Sequence, residues 1–393
     1  MSQATSPAHT GFDFRALRDR EFPSIGRAPY LNAAGVTPLP ARSLAATERY
    51  NRRRADAHVL GAEDFDALLD RCRAAAAGLI GADADEIALL PNTSMGINLA
   101  AHALPLEPGR RIVVSHREFP ANVYPWLGMR ERDGVRVDLV PTLPDGNPDE
   151  SRLLEEIARG DVGIFALSAV QFSTGWLADL ETFGRACREH GAWFVVDGIQ
   201  AVGQLPVDVR AWGVDVMAVG GHKWLCGPFG VGFTYVRREL VPRMEPRVVG
   251  WTAMRATVDY ARCVDYRYDW VEGAKRFEVA TQPNQDYAAL IESIALLREA
   301  GPERIRAHVL GLLDPLAEWL RAREIGIVSD LSPARRSGIF AFRPHDVDGA
   351  FRTLWRAGVN CVPREGAVRL SPHLYNQPED IARVMEVLEG WLR

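Results

Sequence analysis

Five short apolar runs, rich in valine and isoleucine, recur through the middle of this chain: RIVVS at 111–115, RVDLVP at 136–141, IFALSAV at 164–170, WFVVD at 193–197 and VDVMAVG at 214–220. Continuous rather than alternating hydrophobicity over so few residues is the pattern of strands buried on both faces. Between them lie segments such as DLETFGRACREHG (179–191), whose apolar positions recur at helical spacing and which stop at a glycine suited to close a helix. Strands alternating with crossover helices predict an α/β fold with a mainly parallel, doubly wound sheet. Past about residue 290 the pattern changes to longer helices, SIALLREAG and RIRAHVLGLLDPLAEWLRAREIG, followed by the short strands GIFAFRP and AVRLSP. The spacing predicts a large domain over 51–288, a smaller α+β domain over 289–393, and an N-terminal segment, 1–50, that lacks a sheet pattern and packs with the small domain. A chain of 393 residues has room for two such cores, and it carries no internal repeat.

Charge excludes some partners. A formal net charge of -5 gives no electrostatic case for nucleic acid or an anionic membrane, and RRR at 52–54 reads as a solvated helix face. Every apolar run is interrupted well short of the roughly 20 residues that cross a bilayer. Cys72, Cys187, Cys226, Cys263 and Cys361 are scattered without a CxxC pair, so neither a disulfide framework nor a metal site is expected. The opening MSQATSPAHTGFDF is not the pattern of a secretory leader, and a cytoplasmic location is expected.

The strand WFVVD ends at Asp197, on the edge where open α/β sheets bind ligands, and Gln200 follows. The next apolar run delivers GGHKWLCGPFG, hence His222 and Lys223, to the same edge. A lysine there is costly unless its amine is paired or is neutral and bonded to something. An imine with an aldehyde cofactor meets that need, and a carboxylate opposite suits the pyridinium nitrogen of pyridoxal phosphate. Gly227, Gly230 and Gly232 lead into a strand rather than from strand to helix, which argues against a dinucleotide site. In PNTSMGINLA (91–100), Thr93 and Ser94 stand at a helix start, either as a plain cap or as phosphate ligands.

With these motifs in order, from YLNAAGVTPLP (30–40) to RLSPHLYNQPEDI (369–381), the chain resembles the class V aminotransferases, pyridoxal phosphate enzymes of fold type I. The nearest branch is that of the isopenicillin N epimerase-like proteins and the carbon-sulfur lyases of ergothioneine-type pathways, related to the cysteine desulfurases. The resemblance implies a homodimer with shared active sites. It implies that Lys223 carries the cofactor, that Asp197 pairs with the pyridine nitrogen and that Gln200 bonds the phenolic oxygen. Thr93, Ser94 and His222 become phosphate ligands, joined by Thr281 of RFEVAT from the neighbouring subunit. Gln171 of VQFSTG is placed near the cofactor ring, and Arg369 holds the substrate α-carboxylate. Asn32, Tyr124, Trp126 and Trp251 are the candidates for a partly aromatic substrate pocket.

Three departures narrow the expected reaction. A serine that many relatives carry three residues before the lysine is here Gly220. Where desulfurases cover the ring with a histidine, EFPANVYPW offers Phe119, which stacks but does not titrate. Cys361 precedes Arg369 too closely for a mobile catalytic loop and reads as a structural thiol. What remains is an enzyme that binds an amino acid through its amine and removes the α-proton with Lys223. Carbon-sulfur β-elimination from an S-substituted cysteine is the expected outcome; transamination, epimerisation and oxidative deamination stay open. A desulfurase or a non-catalytic scaffold fits less well.

Overall fold

In the computed structural model, which describes residues 11–257 and 264–393, all five apolar runs are strands of a single sheet. Cys263 lies outside the described residues. The sheet holds β1 (Ile87–Leu90), β2 (Arg111–Ser115), β3 (Val137–Val140), β4 (Val162–Ser168), β5 (Trp193–Asp197), β6 (Val216–Gly220) and β7 (Gly232–Val236), in the spatial order β1-β7-β6-β5-β4-β2-β3. The strands β2 to β6 pair in parallel, and β7 runs against both of its neighbours. A Cβ at Gly232 would lie 2.3 Å from the carbonyl oxygen of Val219, so the glycines after Lys223 serve a close antiparallel return.

The helices are α1 (Phe14–Glu21), α2 (Ala41–Ala55), α3 (Asp66–Ile80), α4 (Thr93–Ala103), α5 (Tyr124–Asp133), α6 (Glu150–Ala158), α7 (Leu180–Glu189), α8 (Asn284–Ala300), α9 (Pro302–Arg321), α10 (Val347–Arg356) and α11 (Pro378–Leu392). Helix α7 begins where the Asp179 side chain accepts from the Thr182 amide, and the chain leaves it through Gly191 at φ 68°. Successive residues of β4 enter two different cores. Phe165 and Leu167 face the layer that holds Phe183 of α7; Ile164 and Ala166 face the layer that holds Ile97 of α4 and Trp126 of α5. With both faces dry, every strand residue can be apolar, and all seven positions of β4 are buried. The arginines 52–54 end α2, where Arg53 pairs with Asp64 at 2.7 Å. Among the described residues no helix is long and apolar enough to cross a membrane.

A second, antiparallel sheet is formed by β8 (Gly326–Ile327), β9 (Phe340–Arg343), β10 (Val362–Arg364) and β11 (Ala367–Leu370) in the order β10-β11-β9-β8. The N-terminal segment docks on its flank. Leu31 N–H donates to Asn360 O at 2.9 Å and Ala33 N–H to Ser371 O at 3.0 Å, while Phe14 stacks on His308 of α9. Those bonds carry Ala34 and Gly35 to the edge of the first sheet.

Candidate active site

The carboxyl ends of β5 and β6 open onto a cavity of about 260 Å³ whose wall includes Asp197, Gln200, His222, Lys223 and Arg369. Asp197 is in register with Ser168 at the end of β4 and with Ala218 of β6, so three strand ends converge there. After Gly220 the chain turns sharply, with Cys226 N–H donating to Lys223 O at 2.8 Å. Thr37 then clamps the turn, its Oγ1 donating to Lys223 O at 2.5 Å. Only 8% of Lys223 is exposed, and its Nζ stands 5.3 Å from the centroid of the Phe119 ring. Phe119 in turn meets Phe172 edge to face at 5.3 Å and forms the outer wall.

Burial, reinforced by the charges of Arg369 and Arg364 and opposed by Asp197, pushes the Lys223 amine down to about 8. Burial pushes the Asp197 carboxyl up to about 6 against the pull of the Ile199 N–H and of Lys223. Desolvation and the neighbouring Lys223 also lower His222, which favours the neutral imidazole. With Lys223, Arg364 and Arg369 set against one carboxylate, the cavity favours an anionic ligand.

One end of the cavity fits a phosphate. Thr93 is the first residue of α4, and its buried Oγ1 has no partner. Asn92 caps the Met95 amide, leaving the amides of Thr93 and Ser94 at the helix start beside the cavity. A Cβ at Gly220 would come within 3.3 Å of Thr93 Oγ1 and 3.4 Å of His222 Cε1, so the glycine keeps open the space between those two groups. The orphaned hydroxyl, the helix start and the neutral imidazole together accommodate an anion of that size.

The other candidates are placed as follows. Arg369 donates from Nη1 to Phe172 O at 2.6 Å, and its buried Nε is without a partner, leaving an edge of the guanidinium for a carboxylate. Gln171 is not at the cavity: its Oε1 accepts from the Ser173 and Thr174 amides at 2.6 and 2.9 Å and its Nε2 donates to Arg117 O. It is Phe172 that reaches the wall, because Gln171 is committed to the turn. Trp126 is likewise no pocket residue, being fully buried with its Nε1 directed at Asn122. Tyr124, two positions earlier on α5, is exposed on a separate groove shared with Ser94 and Phe119. Asn32 lies behind Gly35 with a buried, unpartnered Oδ1, and Trp251 is exposed in a short helical turn away from the cavity. Thr281 is exposed on a different, largely apolar groove with Met95 and Phe277, outside this cavity.

Two contributors escape sequence reasoning. Arg364 joins the wall from the end of β10. The hairpin register pairs Val362 with Arg369 and Arg364 with Ala367, which sets both arginines on one face; the Glu-Gly turn between the strands was the available signal. Glu118, next to Phe119, is buried behind the wall. It accepts from the Ser168 amide at 3.0 Å, from the Ser168 hydroxyl and from Asn122 Nδ2, and burial pushes it up to about 7.

The family model for class-V aminotransferases matches residues 29–384. Over 397 residues the chain is 31% identical to a probable cysteine desulfurase of Methanothermobacter thermautotrophicus, covering 94% of this chain and 96% of that one. It is also 31% identical over 380 residues to isopenicillin N epimerase of Streptomyces clavuligerus, with 92% and 94% covered. Among solved structures, an apo cysteine desulfurase from Thermococcus onnurineus NA1 matches with a TM-score of 0.85 at 22% identity, covering 96% of this chain and 98% of that one. A cystine C-S lyase in complex with its product cysteine persulfide matches with 0.84 at 23%, covering 94% and 99%. At such identities the two structures speak for the fold.

Proposed function

The chain belongs to the class-V aminotransferase family, whose cofactor is pyridoxal phosphate, and on that premise we propose that it cleaves the carbon-sulfur bond of an S-substituted cysteine. The observation that carries the proposal is the buried Lys223 amine, held at about 8 between Asp197, Phe119 and Arg369. Bound pyridoxal phosphate supplies an aldehyde that condenses with amines and a ring that takes up the electron pair released at the α-carbon. Thr93, Ser94 and His222 would hold its phosphate, Asp197 would favour a proton on its ring nitrogen, and Gln200 would donate to its phenolic oxygen.

Arg369 fixes the substrate carboxylate through the free edge of its guanidinium, and so orients the α-hydrogen toward Lys223. An amine near 8 is partly neutral at physiological pH and accepts that proton. The titratable residues on the wall are Asp197, His222, Lys223, Arg364 and Arg369, and Phe119 brings no second acid-base group. With Asp197 and His222 assigned to the cofactor, Lys223 is the one base left to the substrate, which suits elimination, in which the α-proton and the thiolate leave and water completes release of a thiol, a 2-keto acid and ammonia. Cys361 speaks against desulfuration: it is fully buried, it stands between the Asn360 bridge to Tyr30 and the start of β10, and burial pushes its thiol up to about 12. The exposed Thr281 and the apolar groove around it support a homodimer in which each protomer completes its partner's phosphate site.

The test is a stoichiometry run on an S-substituted cysteine under nitrogen and under air. Equal moles of thiol, pyruvate and ammonia in both are expected. A requirement for a keto-acid acceptor would make the enzyme an aminotransferase, a requirement for oxygen an oxidative deaminase, and inverted substrate without other product an epimerase; each would overturn the lyase reading.

A further inference from the structure

The Gln200 amide has a fixed sense. Its Oε1 lies 2.7 Å from Trp224 Nε1, and an indole nitrogen only donates, so the atom facing it is the carbonyl oxygen. The amide nitrogen is thereby turned to the other side, where one proton goes to Ala34 O at 3.1 Å. Gln200 lines the cavity, and the second proton is available there.

Trp224 is itself braced. It is fully buried, and its carbonyl accepts from His373 Nε2 at 2.9 Å while the two rings meet edge to face at 5.1 Å. The histidine is buried and pushed down to about 4, so it is neutral with its proton on the nitrogen that faces the carbonyl. A Cβ at Gly338 would come within 2.8 Å of the indole Cη2, and one at Gly203 within 2.3 Å of Trp224 O, so the ring and its backbone have no room to turn. Gln204 closes the ring of contacts, donating to Gln200 O and accepting from the Gly338 amide at 2.7 Å. Residues that flank the second sheet, Gly338 and His373, thus brace an indole that orients a residue of the first sheet's cavity.

We propose that Trp224 is a positioning residue: it holds Gln200 as an obligate hydrogen-bond donor into the cavity, toward an anionic oxygen lying between Asp197 and Lys223. The inference rests on the pyridoxal phosphate reading, in which that acceptor is the phenolic oxygen of the cofactor. A donor to an anionic oxygen favours the charged form and lowers the pH at which the adjoining proton is lost. Trp224→Phe keeps an aromatic ring but removes the N–H, and Gln200 is then free to present its own oxygen to the cavity.

The readout is the pH midpoint of the bound cofactor's visible band. Trp224→Phe is expected to raise it by about one to two units, the size of one hydrogen bond to a charged acceptor. Gln200→Met is expected to raise it by a similar amount, and the double variant no further. An unchanged midpoint in Trp224→Phe overturns the proposal, and so does a shift that survives undiminished in the Gln200→Met background. Should the phenylalanine variant not fold, hydrogen exchange of the Trp224 indole N–H decides: protection in the parent that is lost in Gln200→Met supports the proposal, and protection unchanged by that substitution overturns it. A parent protein that gains no visible band on adding pyridoxal phosphate overturns the cofactor reading and the inference with it, and is distinguishable because it shows before any substitution is made.

Discussion

Replacing Asp197 with asparagine should lower the pH at which Lys223 becomes a nucleophile. The Lys223 amine stands at about 8 rather than 10.5, chiefly because burial penalises the ammonium, with Arg369 and Arg364 acting in the same direction and Asp197 alone among the causes acting against them. That displacement corresponds to roughly 3 kcal/mol at about 1.4 kcal/mol per pH unit. Near pH 7.5 it leaves about a quarter of the amine neutral, against about a thousandth for an ordinary lysine. Mixing cofactor-free protein with pyridoxal phosphate across a pH series and following the visible band measures this directly: the capture rate should rise with pH and level off above a midpoint near 8. Asp197→Asn removes the one group that favours the ammonium, so the midpoint moves down. Arg364→Gln removes a cation and moves it up. A parent midpoint at the value of free lysine, or an upward shift in Asp197→Asn, would refute the electrostatic account of the site.

Cys361→Ala should retain turnover within about twofold, since a buried thiol near 12 is no nucleophile; complete loss, with a persulfide found on Cys361 in the parent, would reinstate desulfuration. Arg369→Lys should raise KM and lower kcat together, because an ammonium cannot hold a carboxylate with two prongs; a change in KM alone would show that Arg369 binds without orienting. Arg73→Met strands Glu278, which Arg73 grips at 2.7 and 2.9 Å in a buried pair, and should cost about 3–5 kcal/mol near neutral pH. The stranded carboxyl takes up a proton on folding, so the deficit should shrink as pH falls toward the carboxylate range; a deficit that does not vary between about pH 5 and 8 would contradict this. Trp126→Ala should destabilise by about 3–5 kcal/mol through core loss while the KM of the folded fraction stays put, and a large KM change would return Trp126 to the substrate pocket.

The strands that carry the site were legible because a strand dry on both faces must be apolar throughout, and WFVVD and VDVMAVG stop where Asp197 and the His-Lys pair begin. The strand β1 was harder to find: it is four residues long and becomes a strand through its pairing with β7. Helical geometry separates Tyr124 from Trp126, since residues two apart do not share a face, so the two cannot line one pocket together. Phe172 reaches the cavity in place of Gln171 because the turn after β4 closes on the glutamine side chain, beside a Gly175 packed hard against Ile339.

By itself, the sequence determined which segments are buried strands, which strand ends bear a carboxylate and a lysine, and through their order the family resemblance. Periodicity along the chain is a local property, and burial on two faces writes it into neighbouring residues. Only the tertiary structure decided that Arg364 shares a wall with Arg369, that Glu118 stands behind Phe119, and that an indole braced from the second sheet sets the sense of Gln200. Those relations join residues far apart in the chain, and a hydrogen bond or a desolvated charge depends on which groups meet in space, a fact that no local pattern carries.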